Sequence, residues 1–85
     1  MPNPFRSSTT IPFDVPAEGA RIRLDVLDIG GRCVATLVDE FRSGGRKSAM
    51  WTGVDSKGEA AAPGIYFYRF QGAGSVETRR LVLLR

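Results

Sequence analysis

The side chains best suited to chemistry in this sequence are two carboxylates on one short stretch, Asp55 and Glu59, and a single cysteine, Cys33. A carboxylate pair can divide general acid and base work, provided that a cleft shifts one pKa away from the other. Oxygen ligands at alternate loop positions can hold calcium. A thiolate can serve as a nucleophile when a neighbouring base activates it. The surrounding residues argue against all three. Lys57 stands between Asp55 and Glu59 and would repel a cation. Asp55-Ser56-Lys57-Gly58 is also the sequence of a turn, in which the aspartate accepts from backbone N–H groups two residues on and the glycine takes a left-handed conformation. The chain has no histidine, which removes Cys-His zinc cages and imidazole catalysis, and one cysteine cannot close an internal disulfide. Cys33 therefore reads as a small buried apolar group. No catalytic residue, metal site or cofactor is expected.

The elements that carry these residues read as strands. Eighty-five residues make one domain, close to the lower size that folds without staples. A composition 42% hydrophobic and 25% charged suits an ordinary globular protein. Ala20 to Asp28 alternates cleanly, with Ile22, Leu24 and Val26 on one face and Arg21, Arg23 and Asp25 on the other. Thr9 to Val15, Cys33 to Val38, Lys47 to Trp51, Gly64 to Gln71 and Val76 to Leu84 are further β-prone runs, punctuated by Gly/Pro-rich turns. Asp39 to Gly45 reads as a polar loop, and Pro12 places the first strand at an edge. Helical periodicity is not sustained anywhere. The expectation is an all-β, immunoglobulin-like antiparallel sandwich of about seven strands. Residues 1–8 would form an extended Pro-rich lead and residues 9–85 the sandwich.

Trp51 is the largest apolar group and is expected at the core centre. Tyr66 points inward beside it, with its hydroxyl bonded to a backbone group near the Asp55 loop, as in a tyrosine corner. Phe67 is the expected exposed aromatic. A Phe67–Arg69 pair could stack on nucleic-acid bases, yet aromatics at strand spacing more often pack. A dispersed net charge of +3 is weak for phosphate binding, so no nucleic-acid partner is expected. No apolar stretch approaches the ~20 residues needed to cross a bilayer, so stable membrane insertion is not expected either. The opening Met1-Pro2-Asn3-Pro4 lacks the pattern of a secretory leader.

Five motifs in order span nearly the whole chain: Pro2-Asn3-Pro4-Phe5, Gly31-Arg32-Cys33-Val34, the W-x-G-x-D-x-x-G run from Trp51 to Gly58, Pro63-Gly64-Ile65-Tyr66-Phe67-Tyr68-Arg69, and Arg79-Arg80-Leu81-Val82-Leu83-Leu84-Arg85. Together they resemble the type A C-terminal sorting domain of type IX secretion cargo. The W-x-G-x-D-x-x-G and G-x-Y patterns are also similar to the immunoglobulin-like domain of the flagellar hook-capping protein. Cys33 departs from the aliphatic residue usual in the family, and Thr52 from a frequent aspartate. The resemblance implies a non-enzymatic address at the end of a larger exported cargo, recognised by outer-membrane translocon and attachment proteins at the cell surface and commonly removed by a sortase-like peptidase. A structural module for adhesion or filament assembly is the alternative.

On that reading the partner-binding residues are Arg79, Arg80, Leu81, Val82, Leu83, Leu84 and Arg85, with Pro2, Asn3 and Pro4 in the lead. Trp51, Gly53, Asp55, Gly58, Gly64, Tyr66 and Gly31 have structural roles. Alternation sets Arg79, Leu81 and Leu83 on one face of the last strand and Arg80, Val82 and Leu84 on the other, so one aliphatic set must face away from the core. Such a strip suits recognition by strand addition, and an open edge would equally let two copies pair.

Overall fold

The computed structural model describes residues 8–84, so the expected lead at Pro2, Asn3, Pro4 and Phe5 and the terminal Arg85 lie outside the described residues. Within them run six strands: β1 (Thr9–Val15), β2 (Ala20–Asp28), β3 (Cys33–Arg42), β4 (Gly45–Trp51), β5 (Gly64–Gly72) and β6 (Ser75–Leu83). They form two antiparallel layers, one in the order β3-β2-β5-β6 and one of β1 and β4. The protein is a small β-sandwich.

Alternation explains how the layers face each other. Ile22, Leu24 and Val26 of β2 are fully buried, as are Leu81 of β6 and Ile11 of β1. Phe13 and Val15 of β1, Tyr66 and Tyr68 of β5, and Leu83 of β6 complete the interior with Trp51 at the end of β4. The indole is 1% exposed and meets the Tyr66 ring edge-on, with centroids 5.2 Å apart. Such a pair adds about 0.5–1.5 kcal/mol beyond the area that it removes from water. Trp51 is thus where the alternation and size of the residue placed it.

Three expectations are corrected. The strands number six rather than seven, because the long stretch between Trp51 and Gly64 folds around Asp55 and contributes only an isolated bridge, Val54 to Ala60. The polar segment after Val38 is strand rather than loop: β3 continues to Arg42, with Asp39 opposite Arg23 and Phe41 opposite Arg21. Asp39 is paired across the ladder with Arg21 at 2.8 Å, and Glu40 along the strand with Arg42 at 2.8 Å, so a polar composition is compatible with sheet. Cys33 is exposed rather than buried, since the register sets it opposite Leu27 on the outer face.

The chain passes from the larger layer to the smaller at Ser43-Gly44. A Cβ on Gly44 would fall 2.6 Å from the Pro16 carbonyl oxygen and 2.7 Å from the Ala17 Cα, both backbone, so this close approach requires glycine. Two strands lying over four leave part of the larger sheet uncovered, and that geometry shapes the surface described next.

Candidate recognition surface

The last hairpin begins at a two-residue turn, Ala73-Gly74, with φ of 53° and 79°. Positive φ at both positions matches the right-handed twist of the flanking strands, so β5 runs directly back into β6 with Gly72 opposite Ser75. From Ser75 to Arg80 every residue of β6 is exposed, whereas Leu81 and Leu83 are buried. Arg79 and Arg80 therefore stand in solvent, Leu81 and Leu83 belong to the core, and Val82 and Leu84 are half-buried. The expected recognition run is thereby divided between interior and surface.

The outward aliphatic set is joined by residues of neighbouring strands. Val82 lies opposite Ile65, and Phe67 lies between Leu27 on β2 and Arg80 on β6. Ile65 is 40% exposed and Ile29, in the turn after β2, is 75% exposed. Phe67 itself is half-buried rather than exposed, flanked by these cross-strand neighbours. The strip thus crosses three strands, with Arg80 at its margin. Ile29, Ile65 and Leu27 were not singled out in the sequence; the signal present was that Ile65 and Phe67 share a face of β5, opposite Tyr66.

On the inner side, an open groove of about 440 Å³ lies where the smaller layer stops short. Ile11 and Phe13 of β1 form one wall, Tyr68 and Phe70 the floor, and Glu77 and Arg79 the far rim. Desolvation raises the Tyr68 phenol above its ordinary value, with Arg79 opposing the shift and Glu77 adding to it.

The Asp55 loop is closed by its own hydrogen bonds. Asp55 Oδ1 accepts from the N–H groups of Lys57 and Glu59, both at 2.9 Å, and the Gly58 N–H donates to the Asp55 carbonyl at 3.0 Å. Gly58 has φ of 85°, the left-handed conformation expected of it. The Ser56 N–H donates to the Val34 carbonyl and ties the loop to β3. Above it, Trp51 Nε1 donates to the Val54 carbonyl at 2.9 Å, and the Tyr66 hydroxyl donates to the Ala62 carbonyl. Gly31, Gly53 and Gly64 also have positive φ. The carboxylate that could have done chemistry shapes the backbone instead.

A second carboxylate is more unusual. Asp25 projects from the outer face of β2, yet it is completely buried. Arg23 Nε and Thr36 Oγ1 donate to it at 2.9 and 2.8 Å, Arg69 lies at 3.6 Å, and the Cys33 thiol at 3.8 Å. Burial alone would raise its pKa, but the hydrogen bonds from Arg23 and Thr36 and the two guanidinium charges outweigh it and hold the carboxyl below its ordinary value. Arg23 is correspondingly raised, first by its hydrogen bond to Asp25. Among the described residues no group of His, Cys, Asp and Glu is arranged to hold a metal ion.

No family profile matches the chain, and no curated protein matches it in sequence. A solved structure does: dimeric latent PorU from Porphyromonas gingivalis, with a TM-score of 0.80 at 20% identity. The chain shares its fold with part of PorU. The match covers 98% of this chain and 9% of PorU, so it concerns one small unit of a much longer polypeptide. At this identity the likeness to PorU lies in the arrangement of strands.

Proposed function

We propose that this chain is a non-catalytic sorting module of type IX secretion, carried by a larger cargo that it directs through the outer-membrane translocon to the cell surface. The observation that carries the reading is a coincidence of two independent kinds. Motifs resembling the sorting-domain family run in order along the chain, and almost all of it superimposes on a part of PorU, a type IX secretion sortase. Each alone would support only a sandwich. The partners on this reading are outer-membrane secretion and attachment proteins, and the grip is the outward strip of Ile65, Phe67 and Val82 with the arginines of β6. A surface that serves unrelated cargoes must be carried by the module itself, and this strip is built from strands that the fold holds rigid.

The experiment is a fusion of the 85-residue chain to the C-terminus of a folded reporter bearing an inner-membrane export signal, in a host with type IX machinery. The reporter is expected at the cell surface or in the medium, and its surface delivery is expected to fall when Val82 and Ile65 are both replaced by Ser. A folded reporter that stays in the periplasm refutes the sorting role. That outcome would favour the structural role in adhesion or assembly.

A further inference from the structure

Among the described residues β3 is an edge of the larger sheet, and its last four residues, Asp39-Glu40-Phe41-Arg42, carry two carboxylates, an aromatic ring and a guanidinium. Asp39, Glu40 and Phe41 are exposed, Phe41 by 63%. Alternation decides which backbone groups face outward. The two-residue turn makes Gly72 and Ser75 a hydrogen-bonded pair, so Gln71 bonds toward β2 at Arg23, and Ile22 in turn bonds toward β3 at Glu40. The Asp28 N–H, in step with Ile22, donates to the Arg32 carbonyl on that same side. Asp39 and Phe41 therefore turn their N–H and C=O groups to the edge. Further back the edge is taken, because the Ser56 N–H donates to the Val34 carbonyl. The Phe41 ring leaves the edge clear: it lies back against Gly19, in the space that a Cβ there would need. Glu40 and Arg42 project from the other face, bridged at 2.8 Å.

We infer that the end of β3 accepts a second copy of the chain, paired antiparallel about a two-fold axis through Phe41. In that register Phe41 exchanges N–H···O=C bonds with its symmetry mate, Glu40 lies opposite the partner's Arg42, Arg42 opposite the partner's Glu40, and Asp39 opposite the partner's Ser43. The bridge between Glu40 and Arg42 then meets its own reverse, and four charges alternate in sign around the axis. Cross-strand pairs of opposite charge are favourable, and like charges directly opposite are not. Neighbouring registers fail on that ground: an axis through Asp39, Glu40 or Arg42 sets each of those charges against itself. An axis through Val38 brings the partner's Arg42 to Val34, where Ser56 already holds the edge. A charge pattern that reads correctly against its own reverse is the mark of an isologous contact. The contact is short, below the ~1,200 Å² typical of weak encounters, so the dimer forms reversibly with concentration. This inference does not depend on the secretion reading.

Sedimentation equilibrium of the chain from micromolar to millimolar concentration tests it, in a Cys33→Ser background that removes the exposed thiol. The mass is expected to rise toward twice the monomer. Glu40→Arg and Arg42→Glu each place like charges in both cross-strand pairs and should weaken association by about tenfold or more. Mixing the two variants should restore it as a heterodimer, because each supplies the sign that the other lacks. A second variant leaves these charges in place. In the same background, Phe41→Cys should give an oxidised dimer readily, since opposed hydrogen-bonded residues lie about 5.5 Å apart at Cα, within disulfide reach. Thr78→Cys, at an exposed position of β6, should oxidise far more slowly. A monomer at every concentration overturns the inference. So does a dimer indifferent to both charge reversals, a mixture that fails to associate, or equal rates of oxidation at the two cysteine positions.

Discussion

The two halves of β6 share one strand and one ladder with β5, yet they differ in what covers them. Ser75 to Arg80 is exposed throughout, while Leu81 and Leu83 are 0% and 1% exposed under the smaller layer. The difference comes from the mismatch of a two-stranded layer on a four-stranded one. Where β1 and β4 reach, side chains are fixed by burial; beyond them, they are available for contact. A strand long enough to pass from one regime to the other can anchor the fold and present a surface at once.

The largest effect that breaks this comparison falls in the buried half. Leu81→Ala removes a fully buried side chain that faces the indole layer, and a loss of about 3 kcal/mol is expected, with a midpoint lower by roughly 15 °C in thermal unfolding. A loss under about 1 kcal/mol would mean that the smaller layer does not pack on β6 as described. Asp25 sharpens the contrast from the opposite face, where burial is achieved by charge. Asp25→Asn leaves Arg69 without its counter-ion and Arg23 with only Asp39 at 3.6 Å, and because both guanidiniums are partly exposed the expected cost is about 2 kcal/mol at neutral pH.

The pH dependence of that cost has a definite sign. The folded-state carboxyl lies below its ordinary value of 3.8, so the stabilisation is complete above that pH and is lost as pH falls through the lowered folded-state value. Denaturant titrations should therefore show a constant gap between the parent and Asp25→Asn at neutral pH. The gap should close in the acid range. A gap that widened as pH fell would reverse the assignment of Arg23 and Thr36 as the groups that stabilise the anion.

Interactions that close within a few residues were legible in the sequence; those that depend on a distant strand were not. The Asp55 side chain accepts from Lys57 and Glu59 and the Tyr66 hydroxyl donates to Ala62, all within four residues, so both roles could be read from local spacing. The alternation of β2 likewise needs no partner to be seen. The strand character of Asp39 to Arg42 is different, because Asp39 at its start is neutralised by Arg21 and Arg23 of another strand. Cys33 was misplaced for a related reason. Irregularities of register between Leu24 and Asp25 and between Val26 and Leu27 decide which face β3 presents, and only the pairing reveals them. The burial of Asp25 needs Arg69 from β5, and the outward strip needs Ile65 of β5 opposite Val82.

The smallest predicted effect is also the most discriminating. Arg79 is exposed and forms no ion pair with a described residue, so Arg79→Ala should change the stability of the monomer by no more than about 0.5 kcal/mol. Measured in dilute solution, where association is negligible, its unfolding curve should overlay that of the parent. If the variant lost more than about 1 kcal/mol there, Arg79 would be holding the groove over Tyr68 together, and the exposed half of β6 would be a structural extension of the core. If the curves coincide, any effect of the same substitution on self-association or on surface delivery must arise at a contact with another molecule. The comparison between the halves of β6 then becomes a separation of functions along one strand: substitutions at the buried Leu81 and Leu83 act on folding, and those from Ser75 to Arg80 act on what the folded protein meets.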